Sequence, residues 1–417
     1  MVDRTTYVYV DLEGTQHLVG KLWARTNRRG RETASFEYDA GWLQQEERFS
    51  LEPQLLLTEG AFHAGDKNLF GSIGDSAPDR WGRVLMRRAA RRQAEAEGRA
   101  TGTLSELDYL LAVNDETRQG ALRFTVEEGG EFLAGAGMVP VPPLVDLPRL
   151  LSATERLLDD DEDDEDLRLL LAPGSSLGGA RPKASVKDHD GKLLIAKFPR
   201  KDDEFQTVLW EAVALQLASN AGIDTSVWRI EQLAGKYVIL LDRFDREGDI
   251  RIPFLSSMSM LGAKDGEDHS YLEIVDAIRQ HGSRPKADLA ELWRRIVFSI
   301  LISNTDDHLR NHAFLYDGQQ GWRLSPLYDV NPTPVEIKPR VLTTAIDLDY
   351  ADANLDLALS VIDEFQLTED KAHQIIREVG LAVAPWREIA TMLDISTAEQ
   401  NRMASAFEHE DLRRAIL

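Results

Sequence analysis

The chain has 417 residues, 43% of them hydrophobic, enough for two or three domains of roughly 150 residues with real cores. It contains no cysteine, which excludes disulfides, thiolate catalysis, iron–sulfur clusters and cysteine-held zinc, so any metal must sit on His, Asp, Glu or Asn. Lys+Arg 48 against Asp+Glu 71 gives a net charge of −23, which argues against binding nucleic acid over the whole surface, because phosphates would be repelled.

The N-terminal MVDRTTYVYV carries charge and reads as a strand, not as an export signal. No apolar run approaches the roughly 18 residues that span a bilayer. A cytoplasmic protein with no membrane partner is therefore expected. Residues 6–40 alternate apolar and polar side chains between Gly, Asn and Arg turns, which predicts a small antiparallel sheet. From Pro78 the period becomes helical and places Arg80, Arg83, Arg87, Arg88, Arg91, Arg92 and Arg99 along a helix that stops at Gly98. This basic helix, Arg80 to Arg99, is either a solvated face or a patch for DNA phosphates or an acidic partner. LSELDYLLAV predicts a second helix and RQGALRFT a strand.

Residues 146–170 join an amphipathic helix to eight consecutive acids, Asp159 to Asp166, expected to form a solvated linker because adjacent carboxylates repel. Without that run the remaining charge is −23 + 8 = −15. The boundaries expected are 1–145 for an N-terminal domain, 146–170 for the linker and 171–417 for a second domain, itself split near 250. After the linker come a Gly-rich loop, the strands ASVKD and KLLIAKFP, the helix EFQTVLWEAVALQLASNAG and the strand KYVILLDRFDR, an order that matches a small nucleotide-binding lobe. From about 270 the patterns are helical, except for two short strands around Asp317-Gly318.

The richest segment is NTDDHLRNH, 304–312. Asp306 and Asn311 stand in the D-x4-N arrangement of kinase catalytic loops, where the Asp accepts the proton of the attacking hydroxyl and the Asn amide oxygen holds magnesium. Beyond the hairpin, Asp329 in LYDVNP is placed as a second metal carboxylate. The loop GSSLGGARPKA, 174–184, is neither a Walker A loop nor G-x-G-x-x-G, yet its glycines, serines and basic residues fit a backbone cradle for phosphate. Lys197 in LLIAKFP is placed like the strand lysine of V-A-I-K, with Glu211 on the next helix as its candidate partner. His308 and His312 form an i, i+4 pair that supports a rival reading, a metal-dependent hydrolase using Asp306, Asp307 and both histidines.

Taken together, FEYDAGWL, PDRWGR and RQGALRF in the first part, and SSLGGARPKA, AKFP, DRFDR, NTDDHLRN and LSPLYDVNP in the second, resemble a HipA-type serine/threonine kinase, the toxin of HipBA-like toxin–antitoxin modules associated with persistence. The resemblance implies an α+β protein: a mainly β N-terminal accessory domain, 1–145, and a kinase-like domain with a small α/β ATP lobe, about 171–250, and an all-helical lobe, about 251–417. It implies ATP and Mg2+ as cofactors. Asp306 becomes the catalytic base, Asn311 and Asp329 the magnesium ligands, and Lys197 the phosphate lysine. Ser176, Leu177, Gly178, Gly179, Ala180, Arg181, Pro182 and Lys183 would form the nucleotide loop; Asp242, Arg243 and Phe244 would hold the adenine; His308 would lie beside the phosphates. Ser176, with Ser175 adjacent, falls at the loop serine whose autophosphorylation switches the family's kinases off. Implied partners are a HipB-like, DNA-binding antitoxin and a protein substrate such as an aminoacyl-tRNA synthetase, with DNA reached indirectly or through the Arg80–Arg99 helix. A small-molecule phosphotransferase shares the same loop logic and remains the alternative.

Overall fold

A computed structural model describes residues 3–26, 32–133, 140–174 and 179–417. The chain divides into two compact units, residues 1–201 with 231–255, and residues 202–230 with 256–417.

The first unit opens with β1 (Asp3–Leu12), β2 (Thr15–Thr26) and β3 (Glu32–Tyr38), which pair antiparallel as their alternation predicts. Every second residue of β3 is buried, placing Ala34, Phe36 and Tyr38 on the core face. β4 (Ala61–His63) adds one edge, and β5 (Leu122–Thr125) returns from far along the chain to pair with β1, giving the order β4-β3-β2-β1-β5. Between β4 and β5 lie the short α1 (Gly71–Gly74), the arginine helix α2 (Arg80–Ala96) and α3 (Glu106–Ala112). Asp79 caps α2 by accepting from the Trp81 N–H at 3.2 Å, and Ser105 with Asp108 forms a capping box on α3.

α4 (Leu147–Leu158) and α5 (Asp164–Gly174) follow. Asp159, Asp160, Asp161, Asp163, Asp164 and Glu165 stay exposed, as a solvated run would be, but the run enters α5 at Asp164, and Glu162 and Asp166 are buried and gathered by cations from elsewhere in the unit. Arg88 donates to Glu162 at 2.8 Å and to Asp160, Arg92 reaches Asp164 at 3.4 Å, and Arg156 grips Asp166. The Glu162 side chain is 2% exposed, so this carboxylate is an internal ion-pair partner. Leu150, Leu157, Leu167 and Leu170 from α4 and α5 join Trp81 and Leu85 of α2 in one core. That core covers a second sheet of β6 (Lys183–Lys187), β7 (Leu193–Lys197), β8 (Trp228–Leu233) and β9 (Lys236–Asp242), ordered β6-β7-β9-β8. β8 was not expected, because WRIEQL lacks clean alternation and is only half-buried along its length. A two-residue hairpin, β10 (Arg246–Glu247) with β11 (Ile250–Arg251), and β12 (Phe254–Ser256) come next.

The second unit is built on α6 (Thr207–Asn220), which is apolar on every side and buried from Val208 to Leu215. Trp210 of α6 meets Trp386 and Phe407, whose rings stack at 4.5 Å. The short α7 (Ser257–Met260) precedes α8 (Tyr271–His281) and α9 (Pro285–Leu301), which starts with proline at its first turn. β13 (Ala313–Tyr316) and β14 (Trp322–Leu324) form the expected hairpin, closed by Gly321 at φ +113°. The unit finishes with α10 (Leu355–Ser360), α11 (Glu369–Val383), α12 (Trp386–Met392), α13 (Thr397–Met403) and α14 (Glu410–Ala415). Among the described residues no helix is long and apolar enough to cross a membrane.

Candidate active site

The sequence-derived site residues fall in both units. In the second unit, α9 ends at Leu301 and the chain turns through Ser303, a non-glycine residue at φ +54°. The Asn304 amide anchors the turn: its Nδ2 donates to Ser299 Oγ at 3.3 Å and its Oδ1 accepts from the Asn331 N–H at 3.3 Å. The next two residues part company. Asp306 is exposed, while Asp307 is buried, 2.9 Å from His312 Nε2 and accepting from Tyr271 Oη and from Ser299 Oγ at 3.2 Å. Burial alone would raise the Asp307 carboxyl; His312 and the donated hydroxyls outweigh it and hold it below its ordinary range. The Tyr271 phenol, buried against that carboxylate, is pushed well above its ordinary value.

Asn311 lies one 3-10 turn further on and is buried. Its Nδ2 donates to the Asp306 carbonyl at 3.1 Å and the Asp329 carbonyl at 3.4 Å. Those two bonds fix the amide so that Oδ1 is left as an acceptor, the orientation a hard cation needs. Asp329 follows β14 and adopts φ +56°, a left-handed conformation that aspartate tolerates. An amide oxygen and a carboxylate suit magnesium, which takes one or two protein oxygens and fills its remaining positions with phosphate and water. The His308 Nδ1 is buried without a hydrogen-bond partner in the described residues, a polar atom that a ligand would satisfy. The residues present therefore fit a magnesium–phosphate group.

The rival hydrolase geometry is not assembled. His308 and His312 have extended backbones at the two ends of a 3-10 turn, not one face of an α-helix, and His312 is committed to Asp307. Among the described residues no group of three or more His, Asp or Glu side chains converges as a metal cage.

In the first unit, Ser175, Ser176, Leu177 and Gly178 lie outside the described residues. Gly179 is at φ +97°, a backbone conformation that favours glycine, and Lys183 Nζ lies 2.4 Å from where a Cβ would stand. Trp81 pins this end of the loop: its N–H reaches the Gly179 carbonyl at 3.4 Å and its indole Nε1 donates to the Lys183 carbonyl at 2.9 Å. Ala180 is exposed and Pro182 buried. Lys183 is buried on β6 with its ammonium beneath Gly179, because β6 pairing turns that side chain inward. Lys197 ends β7, half-buried and paired in register with Lys183 and Ile239. Its candidate partner Glu211 is buried on α6 in the other unit.

The connector after β9 carries the largest surprise. Arg243 does not offer its side chain to a nucleotide: it is buried, donating to Asp245 at 2.6 Å and to the Thr117 and Arg118 carbonyls at 2.8 and 3.3 Å. Asp245 also accepts from the Gly120 N–H at 2.7 Å and from Arg246 at 2.9 Å. Burial would raise this carboxyl, yet Arg243 and Arg246 hold it far below its ordinary value. Arg118 is fully buried, donates to the carbonyls of Ser76, Leu110 and Val113, and is pushed down to about 9 by that burial. Asp242 pairs with Lys192, and the Phe244 ring stacks on Phe254 at 6.3 Å. Arg118, Asp245 and Arg246 were missed by sequence reasoning. The usable signal was the density of charges in DRFDR after an apolar strand, since buried charges must be paired.

Comparison with known proteins supplies the context. A family model described as the HipA-like C-terminal domain matches residues 175–386, and one described as the HipA N-terminal domain matches residues 10–125. The chain is 24% identical over 253 residues to "Putative kinase Y4mE" of Sinorhizobium fredii, covering 54% of this chain and 55% of the relative. It is 28% identical over 189 residues to a "Putative kinase" of Haemophilus influenzae, covering 39% and 54%. The chain spans about half the length of these curated relatives. A solved structure of the Shewanella oneidensis HipA toxin, in complex with HipB and operator DNA, superposes with a TM-score of 0.67 at 15% identity, covering 98% of this chain and 97% of that one. This likeness is one of fold, and it agrees with an α+β chain made of an antiparallel N-terminal sheet followed by a kinase-like region.

Proposed function

We propose, from the premise that this chain belongs to the HipA family, that it is a Mg-ATP-dependent serine/threonine protein kinase and the toxin of a toxin–antitoxin pair. The observation that carries the reading is the division of labour at 306–311: Asp306 is exposed beside a buried Asp307 that is held by His312 and two hydroxyls, and Asn311 is oriented by two backbone carbonyls.

In this reading Asp306 positions the substrate hydroxyl and accepts its proton as the phosphoryl group is transferred. Asn311 Oδ1 and the Asp329 carboxylate would hold Mg2+, His308 would donate to a phosphate oxygen, and Lys197 would neutralise phosphate charge. Bound Mg-ATP would supply the phosphoryl group and screen its charge. The Gly179–Pro182 backbone would cover the phosphates and the backbone of 242–244 the adenine. Ser176, or Ser175 beside it, would be the self-modified residue that shuts the enzyme off. The partner expected on these grounds is a HipB-like antitoxin, and the target a protein, with an aminoacyl-tRNA synthetase as the family precedent. The −23 charge and the pairing of Arg83, Arg88 and Arg92 with carboxylates favour a DNA connection through that partner over direct binding by α2.

The test is intact-mass spectrometry with and without Mg-ATP, with peptide mapping of 170–190. Phosphate should appear on Ser176 or Ser175 in the wild type and be absent from Asp306→Asn, whose circular dichroism and melting stay those of the wild type. Full phosphotransfer by Asp306→Asn would refute the assignment; phosphate found only on small hydroxyl compounds would replace it with a small-molecule phosphotransferase.

A further inference from the structure

Between Asp329 and Asn354 the second unit has no helix or strand, yet the segment is firmly held. The Thr333 N–H bonds to the Ser303 carbonyl at 3.1 Å, Lys338 Nζ and Thr343 Oγ1 donate to the Thr305 carbonyl at 2.8 and 2.9 Å, and Thr344 Oγ1 donates to the Asp307 carbonyl at 2.7 Å. The strap is thus bolted to the backbone on either side of Asp306. Its cations face inward: Lys338 is committed as above, and Arg340 to Ser303, the Ile300 carbonyl and Asp411.

What the strap turns outward is different. Ile337 is 56% exposed, Leu348 76% and Tyr350 60%, apolar side chains crowded into fourteen residues of an otherwise ordinary surface. The exposed charges on the strap are acidic, among them Asp349 and Asp352. The neighbouring stretch, which joins the strap where the Ala345 N–H bonds to the His269 carbonyl at 2.8 Å, exposes Asp265, Glu267 and Asp268 against one cation, Lys264, and Asp265 neutralises the exposed Arg310 of the Asp306 loop at 2.9 Å. A ledge of exposed apolar and acidic side chains tethered to the loop of Asp306 is poorly matched to a nucleic acid, and its apolar part to a sugar; it suits an extended chain with apolar and cationic side chains.

We propose that this ledge is the docking surface for the acceptor polypeptide, selecting an extended segment with Lys or Arg and an apolar side chain flanking the phosphorylated hydroxyl. The inference rests on the kinase reading above. A positional peptide array with a fixed central Ser or Thr, assayed with Mg-ATP, should show selection for basic and apolar flanking residues. The double variant Asp349→Lys/Asp352→Lys should raise KM for a basic peptide by about tenfold, leave KM for ATP unchanged and shift selection toward acidic peptides. That last change is a gain that misfolding does not produce. Leu348→Ser/Tyr350→Ser should erase only the apolar preference. Selection identical in wild type and variants, or self-phosphorylation with no peptide selectivity, overturns the ledge and leaves the kinase reading standing. A wild type that phosphorylates neither itself nor any peptide removes the kinase reading, and the ledge with it.

Discussion

After the left-handed turn at Ser303, Asp306 and Asp307 fall on opposite sides of one loop, the first to solvent and the second into a buried pair with His312. Neighbouring aspartates with identical sequence credentials are thereby separated into a group available for proton transfer and one that holds the loop in shape. A second histidine has a different dependence on charge. His409 accepts from the Leu412 N–H through Nδ1 at 3.4 Å, a bond that requires the neutral ring, and its Nε2–H donates to the Leu301 carbonyl at 3.1 Å. Burial, and then Arg340, lowers its pKa to about 4 from 6.5. A folded value below the unfolded one stabilises the native state above pH 6.5 and loses that contribution as pH falls from 6.5 to 4. The amount at stake is at most about 3 kcal/mol. Urea midpoints at pH 7.5, 5.5 and 4 should show His409→Gln approaching the wild type as the pH drops, because carboxylate effects common to both cancel. A difference that does not change with pH would rule this out.

Among the elements, α2 and the acidic run show how far local pattern carries. The helix itself was legible, from its period and its Pro-Asp start, and so were the N-terminal strands and the β13–β14 hairpin, because each is specified by neighbours in sequence. The fate of Asp159–Asp166 was not: its cations, Arg88 and Arg92, come from some seventy residues away, and no spacing rule reports a partner at that distance. The same limit hid the bolted strap after Asp329, whose bonds run to residues 303–307, to His269 and to Asp411, all distant in sequence. Glu162 is the centre of the clasp, 2.8 Å from Arg88 and 3.6 Å from Arg92. Glu162→Gln keeps the shape but removes the charge, and should cost about 1–3 kcal/mol through the two arginines left under-compensated. Hydrogen exchange should quicken across 159–174 and little elsewhere in the unit. Unchanged protection there would mean that α5 is held by its leucines alone.

At the scale of the molecule, the two family models divide the chain at residues 10–125 and 175–386, whereas the first compact unit runs through both matches. Part of the reason lies in the Arg243–Asp245–Arg246 network. Its carbonyl and N–H partners, Thr117, Arg118 and Gly120, come from the stretch leading into β5, so the connector of the second sheet is completed by the first. Gly120, at φ +72° with Phe254 3.1 Å from where a Cβ would sit, is the contact point that lets the backbones approach. The recurrence of R-Q-G before β5 and D-R-F-D-R after β9 in one chain is then a single structural device read from two places. Asp245→Asn strips the buried Arg243 and Arg246 of the carboxylate they bond to, and should lower stability by about 3–5 kcal/mol, the range found for a buried pair stripped of one partner. Because the defect opens the junction between the sheets, limited proteolysis should cut near 114–121 before any site in the helical unit. A loss under about 1 kcal/mol would mean that water enters to solvate the arginines, and that the two matched regions fold as separable domains after all.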